Sequence, residues 1–255
     1  MTPDSPDEVL PSDEPDAPAP DDPASPAAPP PTPEPPTALQ GQWLLCAVAA
    51  AGARFVPVPL VDDAIRGRAQ RTAVGLTLGA CGRTIATRHL SPLYSTGSMW
   101  RAIAGLPLEI LLLPIRRIVK IVRAARGVPR DLLQTWLLGR AVWRALHAGA
   151  LQGDDPDALK AEATILRTAF DASIEGLDLT VLSAALGGVM DQVKGMSNQA
   201  LAFARQLAGL EEGDHATPAP EGVDDPLGEA LATGEVQGAL AAFDARFDAA
   251  WAEAR

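Results

Sequence analysis

Few side chains in this sequence have the types and spacing that catalysis or metal binding requires. His89, His147 and His215 are far apart in sequence and have no cysteine or acidic residue at ligand spacing. The Asp62-Asp63 pair could bind a metal or act as an acid and a base, but adjacent residues at a helix start point in different directions. Capping of the following helix, by accepting hydrogen bonds from its first N–H groups, explains the pair better. The sequence therefore predicts no metal ion, no cofactor and no catalytic residue.

A polar stretch holds the remaining candidates for nucleophilic chemistry. Tyr94, Ser95 and Ser98 lie within residues 84–100, which predict a loop because prolines, glycines and serines interrupt any periodic pattern. A hydroxyl nucleophile needs a neighbouring base, and the sequence places none beside these residues. The short motifs of nucleotide-binding loops, serine hydrolases and zinc proteases are also absent from the sequence. A hydrolase that uses this loop is therefore the least favoured of three functional hypotheses; the other two are given below.

The strongest pattern is an amphipathic helix that begins at Ile115 and ends at Gly127. At about 100° per residue, apolar side chains gather on one side and basic side chains on the other. The basic residues are Arg116, Arg117, Lys120, Arg123 and Arg126, and the apolar residues are Ile118, Ile121, Val122 and Ala125. Such a helix can lie in the headgroup layer of an anionic membrane, where each cation contributes about 1 kcal/mol. The commoner alternative is that the apolar face packs into a protein core.

The residues before this helix favour the membrane hypothesis. Residues 106–115 are almost all apolar and include Leu111, Leu112 and Leu113. This run is too short to span a bilayer, which takes about 20 apolar residues. Segment 102–127, which joins this run to the amphipathic helix, is therefore predicted to bind anionic lipid from the membrane surface or after partial insertion.

A second apolar stretch is longer but interrupted. It covers residues 43–61, and Pro57 and Pro59 argue against one continuous helix through it. A half-inserted or buried helix that ends near Arg54 is expected instead. Insertion of this stretch together with residues 102–122, as a hairpin, remains open.

Charge is distributed unevenly along the chain. Residues 1–38 carry nine acids and no base, whereas residues 39–150 carry fifteen bases and four acids. The overall net charge of −11 therefore hides a basic middle segment between acidic flanks. Nucleic acid is not expected as a partner, because few aromatic residues accompany the bases and the acidic flanks would repel phosphate.

Composition and periodicity predict an all-α protein, a helical bundle with a disordered, acidic, proline-rich N-terminal tail. The tail covers residues 1–38, which include fourteen prolines. Residues 39–212 form the predicted helical core, and residues 213–234 form a linker. Residues 235–255 form a C-terminal amphipathic helix, which would dock on the core or on a protein partner.

Caps, prolines and glycines predict the individual helices of the core. Asp155-Pro156 is a favourable start, because aspartate caps free N–H groups and proline fits the first helical position. Gly187-Gly188 is expected to separate two helices. Trp136 and Trp143, seven residues apart, share a face that predicts core packing more than membrane-interface anchoring. The predicted helices cover residues 40–53, the stretch after Asp62-Asp63, the stretch after Pro129, residues 156–176, 179–186 and 189–210.

The two cysteines and the N-terminus indicate the compartment. Cys46 and Cys81 have no Cys-x-x-Cys spacing and are predicted to be free thiols in a reducing environment. The N-terminus lacks the basic region and apolar run of a signal peptide. Eighteen of the twenty-one bases are arginine, which favours a GC-rich bacterial source. A cytoplasmic location, at the cytoplasmic face of the membrane, is expected.

A short motif resembles a known family. Residues 56–59, Val-Pro-Val-Pro, followed by Asp62, Gln70 and Val74, resemble the motif of the EcsC-like proteins and of a related uncharacterised domain found downstream of GTPase domains in bacterial membrane proteins. Residues 166–188 are similar to later helices of that group. The resemblance covers about residues 40–210 and implies an α-helical bacterial membrane-associated module of unassigned activity. It brings no catalytic residues, and this chain lacks the GTPase domain.

Two functional hypotheses follow. The first is a non-enzymatic, membrane-associated helical protein that binds the cytoplasmic leaflet through segment 102–127. The alternative is a soluble helical adaptor whose basic face binds acidic protein partners or the acidic tails of the chain itself.

Overall fold

Seven α-helices and one 3₁₀ helix make up the part of the chain that the structure describes. The structure is a computed structural model that describes residues 32–52, 61–94, 130–193, 199, 203 and 222–255. No strand occurs within these ranges, and the predicted all-α fold is confirmed. The helices are α1 (Thr37–Gly52), α2 (Val61–Ala80), the 3₁₀ helix (Thr87–Leu93), α3 (Arg130–His147), α4 (Pro156–Ile174), α5 (Thr180–Gln192), α6 (Asp224–Leu231) and α7 (Gly234–Ala254).

Helix α1 lies at the centre of the core and packs against both α2 and α3. Its side chains are mostly apolar, and they are buried over almost the whole helix. The Trp43 ring meets the Trp136 ring edge-on at 6.3 Å, and its indole N–H donates to Thr77 Oγ1 at 3.0 Å. Gly139 makes this close approach possible, because a Cβ there would lie 2.5 Å from the Trp43 ring. The apolar helix that the sequence left as half-inserted or buried is therefore buried in the protein core.

Helix α7 packs against α4, which also contacts the 3₁₀ helix. The predicted apolar stripe of α7 is buried along its full length. Phe243 in this stripe meets the Phe170 ring of α4 edge-on, with ring centroids 6.4 Å apart. The prediction of a C-terminal amphipathic helix is confirmed, and the structure shows that it docks on the helical core. The stripe consists of Val236, Leu240, Phe243, Phe247 and Trp251.

Several predicted helix boundaries are confirmed, because capping residues and glycines next to the helix ends determine them. Asp155 caps α4 by accepting a hydrogen bond from the Asp157 N–H at 3.2 Å, and Pro156 is the first helical residue. Gly176, just after α4, has φ of +71°, a conformation that disfavours a Cβ. Trp136 and Trp143 are both buried, which confirms core packing for this pair.

The prediction that Gly187-Gly188 separates two helices is wrong. Helix α5 runs through both glycines without a break from Thr180 to Gln192. Each glycine costs roughly 1 kcal/mol of helix propensity. Leu186 before the pair and Val189 after it are both buried, so tertiary packing holds the helix across the weak point.

The structure also contains helical turns where the sequence predicted irregular chain. The 3₁₀ helix lies within the predicted loop 84–100, and α6 lies within the predicted linker 213–234. Local signals are weak in both places, since prolines and glycines are frequent there. Leu90 and Leu93 of the 3₁₀ helix and Leu227 of α6 are buried, and this burial stabilises the turns.

The end of the predicted N-terminal tail belongs to the folded body. Residues from Thr32 to Arg255 form one compact unit, and α1 already begins at Thr37. The tail prediction is therefore wrong for residues 32–38, while residues 1–31 lie outside the described part of the chain. The indole N–H of Trp143 and the guanidinium of Arg140 bind residues 33 and 34, contacts that composition alone does not reveal.

Candidate functional site

The predicted membrane-binding residues lie outside the described part of the chain, as do all of residues 95–129. Asp62 and Asp63 are the second and third residues of α2, and the structure describes nothing of their side chains. The membrane-binding and capping roles therefore both stay predictions. The membrane-binding set is Leu111, Leu112, Leu113, Arg116, Arg117, Ile118, Lys120, Ile121, Val122, Arg123 and Arg126.

The described residues just before and just after residues 95–129 both lie against α2. On one side, the Tyr94 hydroxyl donates to the carbonyl of Thr87, and Thr87 Oγ1 accepts a hydrogen bond of 2.8 Å from Arg71 Nε. On the other side, the Asp131 carboxylate is 3.7 Å from the Arg66 guanidinium. Arg66 and Arg71 are five positions apart, about 8 Å along the helix axis. The described residues before and after residues 95–129 are therefore held against the same short stretch of α2.

This stretch of α2 and the adjoining 3₁₀ helix present arginines at the surface. Arg71 and Arg88 are exposed, and Arg68 is half-buried. Within the described residues, no carboxylate forms an ion pair with Arg71 or Arg88. Arg71 reaches the 3₁₀ helix through Thr87, the residue before Arg88. We call Arg68, Arg71 and Arg88 the α2 arginine surface.

The charges of the α2 arginine surface influence one another. Burial lowers the pKa of Arg68, and the nearby positive charge of Arg71 lowers it further. An arginine remains charged at neutral pH despite such a shift. Burial also raises the pKa of Tyr94, against the opposing effects of Arg71 and of the hydrogen bond to Thr87. Positive charge is thus concentrated where residues 95–129 leave the described body.

Two other arginines of the basic middle segment are enclosed by acidic residues. On α3, Arg140 Nε and Nη2 donate to the two carboxylate oxygens of Asp244 at 2.9 and 2.7 Å. Arg144 Nη1 reaches the same carboxylate at 3.0 Å and also pairs with Asp248. Glu34 completes the group, which we call the α3–α7 ion-pair cluster. Burial would lower the pKa of Arg140, but hydrogen bonds to Asp244 and Glu34 hold it above its ordinary value.

Sequence reasoning did not find this cluster, although one signal was present. Arg140 and Arg144 are four residues apart on α3, and Asp244 and Asp248 are four residues apart on α7. Residues with that spacing share a helix face. Matched pairs of opposite charge on two helices are therefore a signal for docking, although about 100 intervening residues give no indication of which helices meet.

The candidate chemical residues do not form a site within the described ranges. The Tyr94 hydroxyl lies against a backbone carbonyl, and His147 Nδ1 is 2.9 Å from the carbonyl of Trp143. Ser95, Ser98 and His215 lie outside the described ranges. No group of three or more histidine, cysteine, aspartate or glutamate side chains that could hold a metal ion occurs among the residues the structure describes.

Across the described ranges, no helix combines enough length with enough apolar character to cross a bilayer.

Comparisons with known proteins give no family for this chain. No protein-family model, no curated protein and no solved structure matches it. The resemblance to the EcsC-like proteins therefore stays a prediction.

Proposed function

We propose that this chain is a bacterial, non-enzymatic helical protein that binds the anionic surface of the cytoplasmic membrane leaflet. Segment 102–127 supplies the apolar contact and most of the cations. The α2 arginine surface adds positive charge where residues 95–129 join the described body.

The observation that carries the proposal is that the described residues on both sides of residues 95–129 lie against α2. Tyr94 contacts Thr87, which accepts a hydrogen bond from Arg71, and the Asp131 carboxylate lies 3.7 Å from Arg66. An anionic bilayer that meets the body where residues 95–129 join it would also come near Arg71 and Arg88, which have no ion-pair partner among the described residues.

The charges are sufficient for peripheral binding. Each basic residue near an anionic leaflet contributes about 1 kcal/mol, so the five cations of segment 102–127 supply at most about 5 kcal/mol before screening. Screening acts over about 8 Å at physiological salt, so the binding should weaken as salt rises. Apolar residues 106–115 would add affinity that salt does not remove.

Co-sedimentation with vesicles tests the proposal. The full chain should bind vesicles that contain anionic phosphatidylglycerol and should bind neutral phosphatidylcholine vesicles much less. Replacement of Arg116, Arg117, Lys120 and Arg123 by glutamate should release the protein from the anionic vesicles. Equal binding of this variant and the wild type would refute the electrostatic part of the proposal.

A matched pair of single variants tests the α2 arginine surface separately. Arg88→Glu and Lys160→Glu change the net charge by the same amount, and both side chains are exposed. Lys160 lies on α4, outside the α2 arginine surface. Arg88→Glu should lower vesicle binding more than Lys160→Glu does, and equal effects would mean that only the total charge matters.

The alternative, a soluble adaptor for acidic partners, also has an observation in its favour. Glu34, an acidic residue of the predicted tail, binds Arg140 of the basic middle segment. Fractionation of the native protein distinguishes the two functions. Release from membranes by salt indicates peripheral binding, retention through alkaline carbonate indicates insertion, and a protein found entirely in the soluble fraction supports the adaptor.

A further inference from the structure

The first described residues of the chain are bound by side chains of α3 and α1. The Trp143 indole N–H donates to the carbonyl of Pro33 at 2.7 Å. Arg140 donates to both carboxylate oxygens of Glu34, from Nη1 at 2.8 Å and from Nη2 at 2.9 Å. Pro35 is buried, and its carbonyl accepts a hydrogen bond of 2.9 Å from the Gln40 side chain. Each of three consecutive residues is therefore held by a specific contact.

Arg140 and Trp143, which bind Glu34 and Pro33, are held in place by other residues. Asp244 of α7 binds Arg140 Nε and Nη2, which fixes the plane of the guanidinium and leaves donors directed at Glu34. The Arg140 side chain is only 3% exposed. The Trp143 ring packs on the His147 ring with centroids 4.3 Å apart. These contacts do not involve the peptide, so the site is organised before a peptide binds.

The contacts match the chemistry of an extended proline-rich ligand. Prolines at 33, 35 and 36 fix φ near −65°, and a residue before proline, such as Glu34, favours an extended backbone. A polyproline-type strand has no internal hydrogen bonds, so its carbonyls are free to accept from an aromatic N–H. Arginine binds a carboxylate with two parallel hydrogen bonds, which requires an acidic residue at that position.

Pro33, Glu34 and Pro36 lie at the surface of the site, whereas Pro35 is buried. The Glu34 side chain is 60% exposed, and Pro33 and Pro36 are exposed as well. These residues belong to no helix or strand. Their displacement leaves the pairing of Arg140 with Asp244 intact, so the arginine keeps a partner when the peptide leaves.

We propose that Arg140 and Trp143 form a recognition site for an extended Pro-Glu-Pro peptide, which residues 33–35 occupy in cis and which an acidic, proline-rich segment of a partner protein occupies in their place. The chain's own segment is the internal competitor, because a short tether gives it a millimolar effective concentration. The site is separate from the α2 arginine surface, so the inference does not depend on membrane binding.

A fluorescent peptide identical to residues 28–38 tests the proposal by anisotropy with the full chain. Glu34→Ala weakens the internal competitor, so this variant should bind the peptide about three- to fivefold more tightly than the wild type. A peptide with glutamine at the position of Glu34 should bind the variant about three- to fivefold more weakly, because it lacks the carboxylate. Adding Arg140→Met or Trp143→Phe to Glu34→Ala should remove the gain.

Equal binding of the glutamate and glutamine peptides to the Glu34→Ala variant would overturn the proposal, and so would equal binding of one peptide by wild type and variant. Glu34→Gln is the isosteric second variant, and it should give the same direction of change if the alanine variant loses its fold. Sedimentation of the wild type identifies another occupant. A dimer that the peptide converts to monomer would mean that a second copy of this chain fills the site, which also overturns the proposal.

Discussion

Arginines on α2 and arginines on α3 belong to the same basic segment but meet opposite surroundings. On the α2 arginine surface, Arg71 and Arg88 are exposed, and no carboxylate in the described residues pairs with them. On α3, Arg140 is buried and binds carboxylates from α7 and from the N-terminal segment. The difference follows from what packs on each helix, since α7 brings Asp244 and Asp248 to α3.

The comparison separates two functions that net charge cannot distinguish. A buried arginine with carboxylate partners stabilises the fold and adds little to the electrostatic potential over a wide surface, although Arg140 still binds the single carboxylate of Glu34. An exposed arginine contributes little to stability but adds to the electrostatic potential that a membrane or an acidic partner meets. The fifteen bases of residues 39–150 therefore overstate the charge that is available for binding.

The largest expected loss of stability is in the α3–α7 ion-pair cluster. Arg140→Ala would leave Asp244 partly buried without its main cation and would release Glu34. Removal of one partner from a buried ion pair costs about 3–5 kcal/mol of the free energy of unfolding. Urea denaturation followed by circular dichroism measures the loss. A loss under about 1 kcal/mol would mean that the cluster is no more important than a surface ion pair.

A substitution at the close contact between α1 and α3 should give the next largest loss of stability. In Gly139→Ala, the new Cβ would lie 2.5–2.8 Å from three carbons of the buried Trp43 ring. Overpacking costs about 1–3 kcal/mol and should outweigh the roughly 1 kcal/mol gain in helix propensity. The melting temperature should fall.

Gly188→Ala on α5 is the matched control for Gly139→Ala. Its Cβ would meet no atom within 4 Å, so the same substitution should raise the stability by up to about 1 kcal/mol. Similar changes in the two variants would contradict the role of the close contact with Trp43.

A smaller, pH-dependent effect is expected at Glu34. The hydrogen bond from Arg140 holds the pKa of Glu34 below its ordinary value of 4.5, against the effect of burial. The contribution of Glu34 to stability is therefore present above about pH 4.5 and is lost as the pH falls through the lowered pKa. Because the side chain is 60% exposed, the contribution is at most about 1 kcal/mol.

Comparison of wild type and Glu34→Gln isolates the contribution of Glu34. The difference in their free energies of unfolding should be largest near neutral pH and should shrink under strongly acidic conditions. A difference that grows on acidification would contradict the assigned direction of the pKa shift.

The smallest effect on stability is expected at the α2 arginine surface. Arg88→Ala removes an exposed side chain that has no ion-pair partner in the described residues, so the stability should change by less than about 0.5 kcal/mol. Thermal denaturation of this variant beside Arg140→Ala is the direct measurement. A loss above 1 kcal/mol at Arg88 would remove the distinction between the two sets of arginines.

Much of the fold could be predicted from the sequence, but little of the candidate site could be. An apolar, alanine-rich run predicted α1, helix periodicity predicted α7, and Asp155 with Pro156 predicted the start of α4, because these signals act within a few residues. The partners of Arg140 are about 100 residues away on both sides, beyond the reach of any local pattern. The predicted membrane segment lies outside the described residues, and only the contacts of its flanking residues with α2 add to the sequence argument.

The sequence by itself determined the helical class, the capping of α4 and the apolar stripe of α7, since propensity, capping and periodicity are properties of neighbouring residues. Only the tertiary structure decided that α5 continues through Gly187-Gly188, that Glu34 is held on α3, and that Arg140 is enclosed while Arg88 is exposed. The physical reason is that burial and ion pairing depend on which distant elements meet. Those contacts can outweigh a local penalty of about 1 kcal/mol per glycine.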